Sequence, residues 1–265
     1  RSIYHKDKFR NLITGEVNDV KQIDLDDIKL VYDAFYHPKN MFLVVTGNVN
    51  PYEIEKIVNS TLDKLDIPDF LNPTIIKTKE PKTVALKEKI IYSNIEVEKA
   101  KIGLKIERKL FKDYDKVRLS IILNLILASN FGDTSDLKEH LLEEGLITYM
   151  SFNRYIQDEY IIIDITLESK YIEEAINKVI EALNNLSLNE EDFKRKINSA
   201  LASIIVTYEA VDEVNNLIQN YLINYNTIVP NLKEIYESIT LNDCEDIISK
   251  INLKEMSIVK MLKEK

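Results

Sequence analysis

Apolar and polar positions alternate over residues 99–106, placing Ala100, Ile102, Leu104 and Ile106 on one face of a strand, and residues 84–91 read the same way. Two further strands are expected at 148–152 and 159–167, joined as a hairpin through the polar turn 153–158. Helical periodicity takes over elsewhere. Residues 25–36 and 51–65 predict helices, 119–127 is a solidly apolar one, and a break at Asn130-Phe-Gly-Asp-Thr134 precedes another that starts at Ser135 and stops at Gly145. From residue 169 the stripe Ile172, Ala175, Ile176, Val179, Ile180, Leu183 defines a helix with Glu173 and Glu174 near its positive end. Asn189 caps the next, whose stripe runs from Phe193 through Ile197 and Leu201 to Tyr208. Beyond residue 84 the order is two strands, two helices, two strands, three helices and a strand. That order predicts an α+β fold with helices on one face of a mainly antiparallel sheet.

The most compact signal lies at residues 35–57. His37-Pro38 stops a helix, the apolar run 41–45 makes a strand, Gly47 allows a sharp exit, and Asn50-Pro51 with Glu53 starts a fresh helix. The same text recurs near the other end. Ile23-Asp-Leu-Asp-Asp27 matches Ile239-Thr-Leu-Asn-Asp243, and Met41-Phe-Leu-Val-Val45 matches Met256-Ser-Ile-Val-Lys260 at nearly the same offset. Two matches in one order predict a duplicated α/β sandwich unit, the first copy truncated by roughly a hundred or more residues ahead of Arg1. Residues 1–70 would be the C-terminal part of a first domain, 71–83, punctuated by Pro73 and Pro81, a linker, and 84–265 a second domain.

Composition narrows the function. No run approaches the roughly 20 apolar residues of a membrane span, so no membrane partner is expected. Acidic residues outnumber basic ones, 44 to 35, and no basic cluster with interleaved aromatics stands out, so nucleic acid is not an expected partner either. The acidic balance suits basic peptides in a cleft or simply a solvated surface. Cys244, the single cysteine, excludes internal disulfides and points to a cytoplasmic setting; it lies in a helix and reads as buried. There is no phosphate loop and no nucleophile elbow.

The segments Ile3-Tyr-His-Lys-Asp7, Asn11-Leu-Ile-Thr-Gly15, Phe35-Tyr-His-Pro-Lys-Asn-Met41 through Pro51, and Asn130-Phe-Gly-Asp-Thr-Ser-Asp-Leu-Lys-Glu-His-Leu-Leu-Glu-Glu-Gly145 resemble, in this order, insulinase and pitrilysin-type zinc peptidases, the bacterial YmfH-type members most of all. The resemblance covers nearly the whole chain. It implies two similar domains closing on an extended peptide, with zinc held by a His-x-x-Glu-His motif and a distal glutamate in the first half of the first domain. That motif does not occur in these residues, so zinc is expected in the full-length protein and not here, and this chain alone should be inactive. The implied partners are a peptide substrate, the N-terminal domain and a homo- or heterodimeric copy. The alternative is a non-catalytic homologue that binds peptides or serves as a partner subunit.

His140-Leu-Leu-Glu-Glu144 resembles the zinc motif with its second histidine replaced; it reads as a charged helix face, and neither catalytic nor metal-ligating residues are assigned. His5 stands alone, and His37 is expected at a helix end beside the terminal carbonyls. Active members of the family also present an arginine and a tyrosine of the second domain to the substrate. The arginine's place holds Leu142, and Tyr149 is the one substrate-binding candidate, with inward packing on its strand as the other reading.

Overall fold

The computed structural model describes residues 2–74 and 76–264; Ile75, within the expected linker, lies outside the described residues, as do Arg1 and Lys265. The chain forms two compact units. One comprises residues 1–10, 79–204 and 230–265, the other residues 11–78 and 205–229.

The smaller unit is helical: α1 (Val17–Gln22), α2 (Leu25–Phe35) and α3 (Pro51–Leu62) come from its first segment. Asp24 caps α2, taking the amides of Asp26 and Asp27 while the Asp27 carboxylate answers the Asp24 amide. Asn50 caps α3 through the Tyr52 amide, with Pro51 at the first helical position. His37 departs from expectation. It is buried, and its Nδ1 accepts from the Lys39 amide at 3.1 Å while Nε2 lies 3.1 Å from the Pro68 carbonyl, so it caps the turn that follows rather than the helix that precedes. The carbonyl of Phe35 is taken instead by the Asn40 side chain.

The run 41–45, expected as a strand, has no ladder partner among the described residues and is not one. The Asn215 side-chain amide donates to the Val44 carbonyl, and just beyond the run the Thr46 hydroxyl donates to the Val211 carbonyl. A β-propensity run becomes a strand only beside another.

The larger unit holds a five-stranded sheet of β1 (Glu88–Ser93), β2 (Glu98–Glu107), β3 (Tyr149–Ile156), β4 (Tyr160–Ser169) and β5 (Met256–Lys263), in the order β1-β5-β2-β4-β3. Only β1 with β5 is parallel; β5–β2, β2–β4 and β4–β3 are antiparallel. The strand expected at 84–91 begins four residues later, because the Val84 amide is taken by the Glu255 carboxylate and that of Leu86 by the Ser2 carbonyl. The hairpin turn is shorter than the polar run suggested. Residues 153–156 continue β3; Asn153 and Tyr155 lie on its solvated face, and Arg154 on the other face is satisfied by the Ser120 carbonyl, so their polarity marks no turn.

One face of the sheet carries Ile102, Leu104, Ile161, Ile163, Ile165 and Met150, all nearly inaccessible. Across it lie α4 (Lys116–Phe131) and α6 (Ile172–Asn184), with α5 (Asp136–Glu143) and α10 (Leu241–Lys250) packed against α4. α4 is apolar all round and buried along most of its length, as a central helix must be. α5 ends in a Schellman turn: Gly145, at φ +67°, donates to Leu142 and Leu146 to Leu141, and both Leu141 and Leu146 are buried.

Between β4 and β5 the described residues form five helices, not three: α7 (Glu190–Glu209), α8 (Val211–Tyr225) and α9 (Leu232–Ser238) separate α6 from α10. Extended backbone at Ala210 divides α7 from α8, and a left-handed Asn226 ends α8. Thr240 and Asp243 form a capping box on α10, the same device as Asp24 and Asp27 on α2. No helix among the described residues is long and apolar enough to cross a membrane.

Candidate functional site

The sheet's other face is polar. Register places Lys99, Lys101, Gly103 and Lys105 of β2 beside Glu168, Thr166, Asp164 and Ile162 of β4, with Tyr149, Ser151, Asn153 and Tyr155 of the edge strand β3 beyond. Lys99 pairs with Glu168 at 2.6 Å and Lys101 lies 3.0 Å from Asp164, so opposite charges face each other across adjacent strands.

Tyr149 opens β3 and is half exposed on this face, opposite Glu168, with the Lys138 ammonium 5.9 Å from its ring centroid. Lys138 also donates to the Met150 carbonyl at 2.6 Å, fixing the start of the edge strand to α5. Met150 points the opposite way into the core, which follows from the two-residue period of a strand. Leu142 is exposed near the end of α5. The Arg154 guanidinium donates to the Ser120 carbonyl on the helix-covered face, leaving Tyr149 and Tyr155 as the large exposed side chains of β3.

The lower end of the polar face is closed by residues 2–7. Ile3 packs over Gly103, where an added Cβ would come within 2.8 Å of it, and Tyr4 joins Tyr160 and Ile162 in a buried cluster. The anchor is Glu80, whose carboxylate accepts the amides of His5, Lys6 and Asp7, each at 2.8 Å, and the Lys105 ammonium at 2.8 Å. Lys105 donates further to the carbonyls of Pro81 and Thr83 and sits between the rings of Tyr4 and Tyr160. Burial by itself would raise the Glu80 carboxyl, but the lysine and the three amides outweigh it and hold the group at about 2. This lock was not foreseen: its partners lie 25 to 75 residues apart, and a glutamate in a Lys-Pro-rich stretch reads as solvated.

His140 is exposed on α5, and Glu144 caps the same helix through a backbone bond to the His140 carbonyl. No three His, Cys, Asp or Glu side chains among the described residues converge as metal ligands, so the donor set a zinc ion requires is not supplied here and no step is assigned to one. Cys244 is buried in α10, and its thiol is pushed up to about 12 by that burial and by Asp243 and Glu245 beside it, which leaves it unreactive.

Comparison with known proteins agrees with this architecture. The profile of the peptidase M16 inactive domain matches residues 22–200. A zinc protease of Bacillus subtilis, YmfH, is 29% identical over 261 residues, covering 93% of this chain and 58% of its own length. The Helicobacter pylori zinc protease PqqE is 26% identical over 221 residues, covering 79% and 48%. This chain therefore spans about half the length of these relatives. An M16-like peptidase from Alicyclobacillus acidocaldarius superposes with a TM-score of 0.83 at 19% identity, over 99% of this chain and 64% of that one. The profile covers well over half of the chain, the sheet with helices behind it is the fold of the solved M16-like relative, and the chain belongs to the peptidase M16 inactive-domain family.

Proposed function

We propose that this chain forms the non-zinc portion of an insulinase-like metallopeptidase and supplies a wall of the substrate chamber. Residues 1–70 would complete a first peptidase-like domain with sequence that precedes them, and zinc would sit in that other part. The observation that carries the reading is the edge strand β3. Its outward backbone groups offer a template for an extended peptide, and Tyr149, Ser151, Asn153 and Tyr155 alternate along the face such a peptide would meet. Affinity would then come largely from main-chain hydrogen bonds, with Tyr149 stacking on the peptide and weak side-chain selectivity elsewhere. The buried, free thiol of Cys244 makes no demand for an oxidising compartment, and the cytoplasm is the proposed location.

The test compares the full-length gene product with this chain on a mixed library of unfolded peptides, with and without chelator, alongside metal analysis. Zinc and chelator-sensitive cleavage in the long form alone is the expected result. Stoichiometric zinc and cleavage by the 265 residues alone would overturn it.

A second reading is favoured by Leu142, which stands, half exposed, where the family resemblance places a substrate-facing arginine. In that reading the protein is a non-catalytic, peptide-binding subunit that pairs with an active partner. Absence of metal and of cleavage in the full-length product, with peptide binding retained, is the outcome that selects it.

A further inference from the structure

A cleft of about 840 Å³ opens beside the Glu80 lock, within the larger unit. Seven basic residues and four acidic ones line it, in a chain whose net charge is −9. Glu80 is already neutralised by Lys105 beneath it. Of the other three carboxylates, Glu107 serves two ammoniums at once, Lys82 and Lys109, each at 3.0 Å, Asp158 pairs with Lys116 at 2.6 Å, and Glu159, exposed, offsets one further cation. Lys6, Lys79 and Lys112 are exposed and engage no carboxylate among the described residues. The lining thus carries a surplus of positive charge in a concave site, set into a negative surface that would repel an anion elsewhere.

We propose that this cleft binds acidic peptide segments, the free ammoniums of Lys6, Lys79 and Lys112 converging with the shared pair Lys82 and Lys109 on successive carboxylates. The choice of peptide rests on the peptidase reading above; the anion preference rests on the cleft alone. Three observations favour peptide carboxylates over other anions. The one aromatic in the lining, Tyr160, is buried and its hydroxyl is bonded to the Glu80 carbonyl, so no ring of the lining is free to stack a nucleobase. The first turn of α4 is closed by Asp115, which takes the Arg118 amide, so the helix end beside the cleft is not an open phosphate cradle. The Arg108 guanidinium is turned onto the carbonyls of Phe111 and Tyr114, leaving flexible lysines, which act as spaced point charges rather than a bidentate clamp. The volume suits a short segment of chain, not a duplex.

The test is direct binding of labelled hexaglutamate to the full chain by fluorescence anisotropy at low salt, with hexalysine, inorganic triphosphate and a short oligothymidylate as comparisons. Binding needs no cleavage, so its outcome is independent of whether the full-length protein is a peptidase. Saturable hexaglutamate binding is expected, weakened about tenfold or more in Lys79→Glu/Lys112→Glu and about threefold or more in Lys79→Gln/Lys112→Gln, and falling as salt is raised. All three free lysines are exposed, so an unchanged thermal melt in each variant separates lost binding from lost fold, and Lys6→Glu provides a third, independent variant. Hexaglutamate binding that is absent, or equal in the charge-reversed chain, overturns the proposal. Tighter binding of oligothymidylate or of triphosphate than of hexaglutamate also overturns it, assigning the cleft to nucleic acid or to compact phosphates respectively.

Discussion

Glu80 and Lys105 form a fully buried ion pair that fastens the N-terminal segment to the sheet, with side-chain exposures of 2% and 0%. Its stability contribution has a definite sign with pH. Glu80 titrates at about 2 in the fold, below its ordinary value of 4.5, so its contribution is complete above about pH 4.5 and is lost as pH falls toward 2. The displacement corresponds to roughly 3 kcal/mol. Glu80→Gln is expected to lower stability by about that amount at neutral pH, since it strands Lys105 in a dry site, and to flatten the acid limb of the melting curve. Thermal melts from about pH 6 to pH 2 check both effects. The double change Glu80→Leu/Lys105→Met is expected to cost less than Glu80→Leu alone, since it leaves no ammonium stranded in the dry site. At this scale the sequence was informative where a residue's role is local: Asn50, Ser135, Asn189 and Gly145 punctuate helices as their types predict. It was uninformative where a role depends on distant partners. His37 is held by Pro68, and Glu80 by amides more than 70 residues away, and neither residue type betrays that.

Elements were legible in proportion to how far they carry their own periodicity. The apolar run of α4, the stripe of α6 and the alternation in β2 were clear because α6 and β2 turn chiefly one face to the core and α4 nearly all of its surface, while β4 stood out as an apolar run, buried on both faces over its first six residues. α8 and α9 were not anticipated; α8 has no buried residue and α9 has one, so burial imposes little pattern on them. The run 41–45 misled in the opposite direction, since it has the propensity of a strand but no neighbour among the described residues. The basic residues Arg108, Lys109, Lys112 and Lys116 form no legible cluster in the sequence. Read linearly they mix with Asp113 and Asp115; only folding brings them beside Lys6, Lys79 and Lys82. Arg118 ties α4 to the α9–α10 corner, donating to the Ser238 hydroxyl and carbonyl and to Asp243, itself a member of the α10 capping box. Arg118→Met is expected to cost about 1 to 2 kcal/mol, read from urea unfolding. Asp243→Asn should then cost less when added to Arg118→Met than when made alone, since the pair it breaks is already gone.

At the scale of the molecule, the two units differ in how much of themselves they bury. Every helix of the smaller unit's first segment lacks a buried residue, and Leu25, Ile28, Leu30 and Val31 of α2 are exposed, whereas α4 is almost wholly enclosed. Amide hydrogen exchange is therefore expected to be faster in α2 and α3 than in α4 and β2 by at least about two orders of magnitude, measured by mass spectrometry on the chain. Equal protection in the two regions would contradict the burial pattern. The fold class was accessible from the order of elements; Tyr149 was drawn from the family resemblance alone, with its outward or inward setting left open, and the strand order was not legible, because periodicity is silent about which strands are neighbours. That order governs how the protein can be made. β5, the last strand in the chain, lies between β1 and β2, two strands separated by a short connection. Synthesis delivers the two outer members about 150 residues before the one that joins them. On the ribosome β2, β4 and β3 can pair as they emerge, but β1 has no strand partner until residues 256–263 follow. A premature stop or a clip ahead of Met256 would accordingly remove the seam and not a tail, and such products should go to the cell's degradative machinery rather than persist as shortened but working forms.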